Sequence, residues 1–333
     1  MHDLAGPFAE SRAETITNSG LIAGVGRKTF DGAPRVFQWS NGVTTDLGTV
    51  RPLGGGEGDG VEVIALTGTD VVAWRNGQMN RYTSAIWHNG VRQVLPGLIS
   101  EWNGDGDVQA TAMNSRRQIV GSNLMPGAAV QDVYHAFMWE DGVTRDLGVL
   151  SEFRCIDRPD LNCGEATAVD INNGGQVIGW SRDTARSPHA VLWADGSIRD
   201  LGSWSPVAIN EAGDIAGYGV GETLGTGYFW RSGTLTTIGS LGGGGTYVVD
   251  MNDQSTVVGT SLTAEGKPHV FVWKSGQSGL TDLGAGPPGA GGTGTVAVAI
   301  NARGDIIGYT CANYADGWCL NGPLRAILWR VKP

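Results

Sequence analysis

A motif that recurs seven times, a tryptophan-ending strand after each copy, and paired turn residues between apolar runs predict an all-β fold. The expected architecture is a seven-bladed β-propeller of four-stranded blades, with the last blade closed by the N-terminal strand. A four-stranded unit of about 40–50 residues cannot bury both of its faces alone. Radial stacking against neighbours solves that problem, and a tryptophan column is a natural filling between blades.

Each repeat reads as four short strands. Strand one is an apolar run ending in Ile-Asn, as in INNGGQVIG (171–179), INEAGDIAG (209–217) and INARGDIIG (300–308). MNSRRQIVG (113–121), MNDQSTVVG (251–259) and ITNSGLIAG (16–24) are weaker copies, and LTGTDVVAW (66–74) is the most altered. Strand two is the apolar pair before the closing glycine. Strand three ends in Trp39, Trp87, Trp139, Trp193, Trp230, Trp273 or Trp329. A turn such as Asn-Gly or Asp-Gly follows it, the strongest short hairpin signal because both central residues take positive φ. Strand four then ends in Asp-Leu-Gly at Asp46, Asp146, Asp200 and Asp282. The expected blades run approximately over 7–48, 61–97, 109–148, 165–202, 205–239, 246–284 and 295–333, in one domain spanning 1–333. Repeat seven stops after strand three. Residues 1–6, HDLAG among them, are expected to supply its fourth strand and hide two sheet edges.

Bulk composition agrees. The chain holds 54 glycines in 333 residues, about twice the usual share. Its 12 tryptophans argue against a disordered glycine-rich chain, which would be poor in aromatics. A formal net charge of −10 leaves no basic stripe for displacing phosphate counterions, so no nucleic-acid partner is expected. No apolar run approaches the roughly 18 residues of a membrane helix. The N-terminal MHDLAGPFAE lacks the basic and apolar regions of a signal peptide, so the expectation is either a cytosolic protein or a numbering that begins after a removed leader.

His135-Ala136-Phe137-Met138-Trp139, followed by Asp146-Leu147-Gly148, resembles the bacterial HAF repeat, a family often described as extracellular. The resemblance extends over nearly all of the chain through INxxGxxxG, the tryptophan strand and Asp-Leu-Gly. It implies a secreted bacterial β-propeller. It implies no chemistry, since fold does not fix function.

Long irregular loops on a rigid scaffold are where function tends to sit. Here these are 49–60, 122–134, 149–165 and 309–323. Five tryptophans lie outside the repeat column: Trp74, Trp102, Trp180, Trp204 and Trp318. Trp180, Tyr218 and Tyr309 each follow a strand-two glycine, Tyr247 opens strand one of blade six, and Tyr314 lies near Trp318. The expected ligand-binding set is Trp102, Trp180, Trp204, Tyr218, Tyr247, Tyr309, Tyr314 and Trp318, which would stack a sugar or an aromatic molecule. The alternative is loop packing onto the propeller. An acid–base enzyme in the same mouth would draw on Glu62, Glu165, Arg182, Tyr218 or Tyr309. Asn103, Asp105 and Asp107 alternate with glycine like the start of a calcium loop, but the distal Glu is absent. Calcium is therefore the one candidate ion, and no cofactor is required. His135, His189 and His269 each lie four residues before a tryptophan, a column that serves each blade rather than one active site.

The four cysteines form CIDRPDLNC (155–163) and CANYADGWC (311–319). The map places the pairs in different loops three blades apart, which disfavours one zinc site. Redox Cys-x-x-Cys spacing is absent. Two local disulfides, Cys155–Cys163 and Cys311–Cys319, fit best and point to an oxidising compartment, extracellular or periplasmic. The leading expectation is a monomeric propeller that binds a small molecule or glycan at its long-loop face. A lyase, hydrolase or cyclase in the same mouth is the alternative, and a protein-interaction scaffold the third.

Overall fold

The computed structural model describes residues 7–17, 19–29, 33–49, 61–68, 70–76, 82–98, 107–125, 133–152, 164–220, 225–286, 294–311, 314–315, 318–319 and 326–330; for 10–13, 74–76, 311, 314–315, 318–319 and 326 this covers the backbone alone. The fold is all-β, a seven-bladed β-propeller. The chain divides into two compact units, Met1–Asp200 and Leu201–Pro333. Among the described residues no helix is long and apolar enough to cross a membrane.

The first unit carries four antiparallel sheets. Blade one is β1 (Glu10–Ile16), β2 (Ile22–Arg27), β3 (Arg35–Ser40) and β4 (Val43–Gly48). Blade two is β5 (Val61–Thr67), β6 (Asp70–Asn76), β7 (Tyr82–His88) and β8 (Val91–Val94). Blade three is β9 (Val108–Met113), β10 (Ile119–Met125), β11 (Val133–Glu140) and β12 (Val143–Asp146). Blade four is β13 (Ala166–Ile171), β14 (Val177–Arg182), β15 (Pro188–Ala194) and β16 (Ser197–Gly202). In every sheet the strands neighbour one another in chain order.

The second unit carries three blades. Blade five is β17 (Trp204–Ile209), β18 (Ile215–Gly219), β19 (Gly227–Arg231) and β20 (Thr234–Thr237). Blade six is β21 (Gly242–Met251), β22 (Thr256–Thr263), β23 (Pro268–Lys274) and β24 (Thr281–Asp282). Blade seven shows β25 (Gly294–Ile300), β26 (Ile306–Cys311) and β29 (Ala326–Trp329). A small hairpin, β27 (Tyr314–Ala315) with β28 (Trp318–Cys319), interrupts the connection to β29. The closing strand expected at 1–6 lies outside the described residues.

The apolar pair of strand two has a simple cause. Successive residues of a strand point to opposite faces. Val71 packs into the core shared with blade one, and Val72 into the core shared with blade three. Ile119 and Val120 divide in the same way, as do Val257 and Val258 in the second unit. A sheet buried on both faces therefore reads as a continuous apolar run. The strand-three tryptophans join the core on the preceding blade's side: Trp87, Trp139, Trp193 and Trp273 are all buried. Two also reach that blade by hydrogen bond, Trp87 Nε1 donating to Leu47 O at 3.0 Å and Trp193 Nε1 to Gly148 O at 3.3 Å.

The Asn of the motif is a clasp. Asn114 Oδ1 accepts the Arg116 and Gln118 N–H groups at 3.0 Å each, while Nδ2 donates to Asn172 O of the next blade at 3.0 Å. Asn252 repeats this, with Nδ2 reaching Asn301 O at 3.1 Å. Asn210 Nδ2 reaches Ser255 Oγ of the next blade at 3.1 Å.

The motif's last glycine answers a bulge. Strand one slips register by one residue in every blade, between Ala168 and Asp170 in blade four. A Cβ on Gly179 would lie 2.0 Å from Thr167 O and 2.9 Å from the Trp193 ring. Gly259 faces Tyr247 O in the same way. Gly179→Ala is therefore expected to destabilise by about 1–3 kcal/mol, read as a lower urea midpoint with unchanged slope.

Polar pairs on the turn side also fasten blades. Asp214 is 3% exposed and accepts hydrogen bonds from Arg231 Nε at 2.7 Å and from Ser255 Oγ at 2.7 Å. Burial pushes its carboxyl up, but the bonds from Arg231, Ser255 and Asn210, with the Arg231 charge, outweigh this and hold it below the ordinary 3.8. A lowered folded value stabilises fully above the unfolded one and fades as pH falls through the folded one. Asp214→Asn should cost about 1.5–3 kcal/mol at neutral pH. In denaturation series at stepped pH, its deficit against the parent should shrink below pH 3.8, the ordinary carboxyl value.

Candidate functional site

In each up-and-down blade, the strand one–two and three–four turns share one end, and the two–three and four–one connections share the other. The first end is tight: Asp195 and Gly196, at φ 52° and 72°, form the turn the hairpin signal predicts. The second end carries the long loops, of which 50–60, 99–106, 126–132, 153–163 and 287–293 fall outside the described residues. The strand ends beneath them are described, and the site is built there.

Blade four presents a two-by-two facet. Thr167 pairs with Trp180 across the β13–β14 ladder, and Arg182 N–H donates to Glu165 O at 3.0 Å one step further. Glu165 and Thr167 are two residues apart, as are Trp180 and Arg182, so all four side chains share one face of the sheet. All four are half-buried, while Ala166, Ala168, Gly179 and Ser181 between them are buried. The Arg182 guanidinium sits 5.9 Å from the centroid of the Trp180 ring. Its Nε donates to Glu165 Oε2, and its Nη1 to Arg186 O at 2.8 Å, which ties down the 183–187 turn. Arg182 Nη2, Glu165 Oε1 and Trp180 Nε1 have no hydrogen-bond partner among the described residues.

Ser181, on the opposite face, holds the facet's frame. Its Oγ donates to Glu165 O at 3.0 Å and accepts the Leu150 N–H at 2.9 Å. The same position is used elsewhere. Asn123 accepts Leu98 N–H at 2.6 Å and donates to Asp107 O at 2.7 Å, and Ser261 accepts Leu241 N–H at 3.0 Å. One buried polar residue, two past the strand-two glycine, thus pins the strand four–one connection in three blades.

In the second unit, Tyr218 of β18 and Tyr247 of β21 meet edge to face, with centroids 6.1 Å apart and planes at 62°. Both rings are half-buried. Gly225 lies beside them: a Cβ there would come within 3.3 Å of Gly245 Cα and 3.8 Å of the Tyr247 hydroxyl. Its carbonyl accepts the Thr246 N–H at 2.7 Å.

The remaining candidates fall apart from these clusters. Trp204 is only 2% exposed; its Nε1 donates to Leu201 O at 2.9 Å and its ring stands edge-on to Tyr228. Asp107 is 8% exposed and its Oδ1 accepts the Tyr82 N–H at 2.6 Å, so that oxygen is already engaged. Asn103, Asp105 and Trp102 lie outside the described residues. Among the described residues no three His, Cys, Asp or Glu gather to hold a metal ion. Glu62 is an exposed strand residue opposite Trp74, and Tyr309 is half-buried opposite Val296. Cys155 and Cys163 lie outside the described residues. For Cys311, Cys319, Tyr314 and Trp318 only the backbone is described, so the two expected disulfides lie outside it as well.

Sequence reasoning treated the His and Asp columns separately, yet they are one device. His135 Nδ1 lies 2.7 Å from Asp146 Oδ2, His189 Nδ1 2.9 Å from Asp200 Oδ2, and His269 Nδ1 2.9 Å from Asp282 Oδ2. Arg35 plays the histidine's part against Asp46 at 2.9 Å. An ionised carboxylate only accepts, so each Nδ1 carries the donated proton. Asp146 also accepts Gly148 N–H at 2.7 Å. Burial pushes the Asp146 carboxyl up, but the bonds and charge of His135, with the Gly148 bond, hold it lower overall. A constant separation of eleven residues in three of these pairs was the available signal. Near the facet, His189 Nε2 also lies 3.6 Å from Asp183 Oδ2, whose other oxygen caps Ala185 and Ser187 N–H groups.

These features define a β-propeller with a half-buried aromatic and charged facet at its loop end. The chain is similar in fold to the β-propeller domain of the Trilobed protease from Pyrococcus furiosus, at 12% identity and a TM-score of 0.55, over 97% of this chain and 95% of that one. It is also similar to a prolyl endopeptidase, at 10% identity and a TM-score of 0.56, covering 92% of this chain and 46% of that one. An acylaminoacyl peptidase from Pyrococcus horikoshii matches at 15% identity and a TM-score of 0.52, over 99% of this chain and 52% of that one. The chain thus spans about half the length of both peptidases. These likenesses concern the fold. No protein-family model matches the chain, and no curated protein matches it.

Ser181→Ala would leave the Leu150 N–H without its partner and take from the Glu165 carbonyl one of its two donors. It is expected to lower stability by about 1–3 kcal/mol. Amide hydrogen exchange should quicken at Leu150 before the neighbouring strands are affected.

Proposed function

We propose that this chain is a HAF-repeat β-propeller that works outside the cytoplasm and binds a small molecule or glycan at its loop end. One observation carries the reading: Trp180, Arg182, Glu165 and Thr167 form a half-buried facet whose indole N–H, one guanidinium nitrogen and one carboxylate oxygen have no partner among the described residues. Polar groups held in place by a rigid sheet but left unpaired are ready to meet a ligand, and an aromatic ring supplies the apolar surface such ligands bury. The Tyr218–Tyr247 corner offers a second aromatic surface of the same kind in the other unit. The HAF-like strand, from His135 to Trp139, supports the assignment to a secreted repeat family.

An enzyme acting in the same place is the second reading. The convergence of Glu165 and Arg182, two ionisable groups in direct contact, favours it. Thermal-shift and tryptophan-fluorescence screens against glycans and small metabolites would test both. Binding should raise the melting temperature and change indole emission. Trp180→Ala should weaken binding by about tenfold or more, about 1.4 kcal/mol, with the melting temperature of the free protein little changed. Turnover of a bound compound, lost in Glu165→Gln, would decide for the enzyme. If no compound shifts either signal, the ligand reading fails.

A further inference from the structure

We propose that the blade-four facet selects a neutral polyhydroxyl ligand, a pyranose without carboxylate or amine, over charged sugars; this rests on the ligand-binding reading above.

The argument begins with charge. Arg182 and Glu165 are bonded to each other, so the facet is close to electrically neutral where a ligand would sit. An anion brought to the free Nη2 of Arg182 would also meet the Glu165 carboxylate. A cation brought to the free Oε1 of Glu165 would also meet the guanidinium. Each charged ligand gains one attraction and suffers one repulsion at similar range. A hydroxyl suffers neither penalty, because it both donates and accepts. Two neighbouring hydroxyls can take the N–H of Arg182 and give a proton to Glu165 Oε1, both charge-assisted bonds of the stronger kind. Thr167, on the same face, adds a hydroxyl on the inner side.

Shape agrees with charge. Trp180 offers a half-buried indole whose N–H has no partner among the described residues. The axial C–H groups of a pyranose form an apolar patch that suits a ring face, while its edge carries the hydroxyls. Trp180 and Arg182 project from alternate positions of one strand, so the apolar and polar halves of such a ligand meet side chains fixed in a single register. Arg182 is held further by its bond to Arg186 O at 2.8 Å, which lowers the cost of ordering it on binding.

The test uses three matched probe sets on the whole chain: the methyl pyranoside, the uronate and the 2-amino sugar in the gluco, galacto and manno series. Saturation-transfer NMR and indole fluorescence read the affinity. In at least one series the neutral member should bind about tenfold or more tighter than both charged partners, with little dependence on salt. Glu165→Gln leaves the site cationic and should shift preference toward the uronate. Arg182→Gln leaves it anionic and should shift preference toward the amine. Melting curves establish that each variant is folded. Because Glu165→Gln is nearly isosteric, it keeps the test decisive if loss of Arg182 loosens the 183–187 turn. If a uronate or amine binds parent protein best, neutral selection is overturned while the ligand reading stands. If no probe in any series binds, neutral-sugar selection is overturned, and the ligand reading is decided by the wider screen of glycans and metabolites.

Discussion

The architecture depends on what one amide side chain does at the end of a first strand, as in blades three, five and six. Asn114 closes its own turn with Oδ1 and reaches into the next blade with Nδ2, and Asn252 does the same. Each bond is worth only about 1 kcal/mol net. The arrangement matters because these side chains are buried, where an unpaired amide would cost more than a made bond returns. A blade that rotated or slid against its neighbour would break the Nδ2 bond between them, while the Oδ1 bonds hold the amide fixed within its own turn. The glycine that ends the motif obeys the same register, since the bulged carbonyl opposite it leaves no room for a Cβ. In blades three and six the polar clasp, the bulge and the apolar pair occur together and act on the same strand ends.

That rigidity is what permits a half-buried polar facet at the loop end. Glu165, Thr167, Trp180 and Arg182 stand at alternating positions of two paired strands whose intervening residues are packed. Ser181 ties the facet's backbone to the incoming connection at Leu150. Side chains set by a ladder keep their spacing without a ligand, which a loop alone would not guarantee. The His–Asp pairs do comparable work one strand further out. They fix the end of strand four against strand three, as His189 does with Asp200, and so hold the outer edge of the same blade.

Much of this could be read from sequence because the repeat is a local code. The apolar pair, the tryptophan and the turn residues each report a strand buried on both faces. Pairings between strands were harder. His189 and Asp200 stood in two columns whose contact depends on β15 and β16 being neighbours in register. Trp204 lies outside the repeat's tryptophan column, and its position just before the expected start of blade five suits a ligand-facing residue. Only Ser203 separates β16 from β17, so the tryptophan enters the sheet and is buried instead of standing in a loop. Asp107 resembled an ion ligand in a glycine-rich loop, but a backbone N–H of the neighbouring blade takes one of its oxygens. For His189 and Asp107 the partner lies across a strand pairing that spacing alone does not reveal.

Electrostatics at two ranges bears on what the facet can hold. The chain carries a formal net charge of −10, and such a field disfavours the approach of anions from solution. Screening limits that effect to about 8–10 Å at physiological salt, so the choice at contact falls to the nearest groups. There the Arg182–Glu165 pair cancels most of its own field, while Nη2 and Oε1 have no partner among the described residues. A lone arginine in an acidic protein would collect anions, and a lone glutamate would collect cations. On the proposed reading, pairing them beside an indole would remove both preferences and leave hydrogen-bond geometry and ring contact to discriminate between ligands.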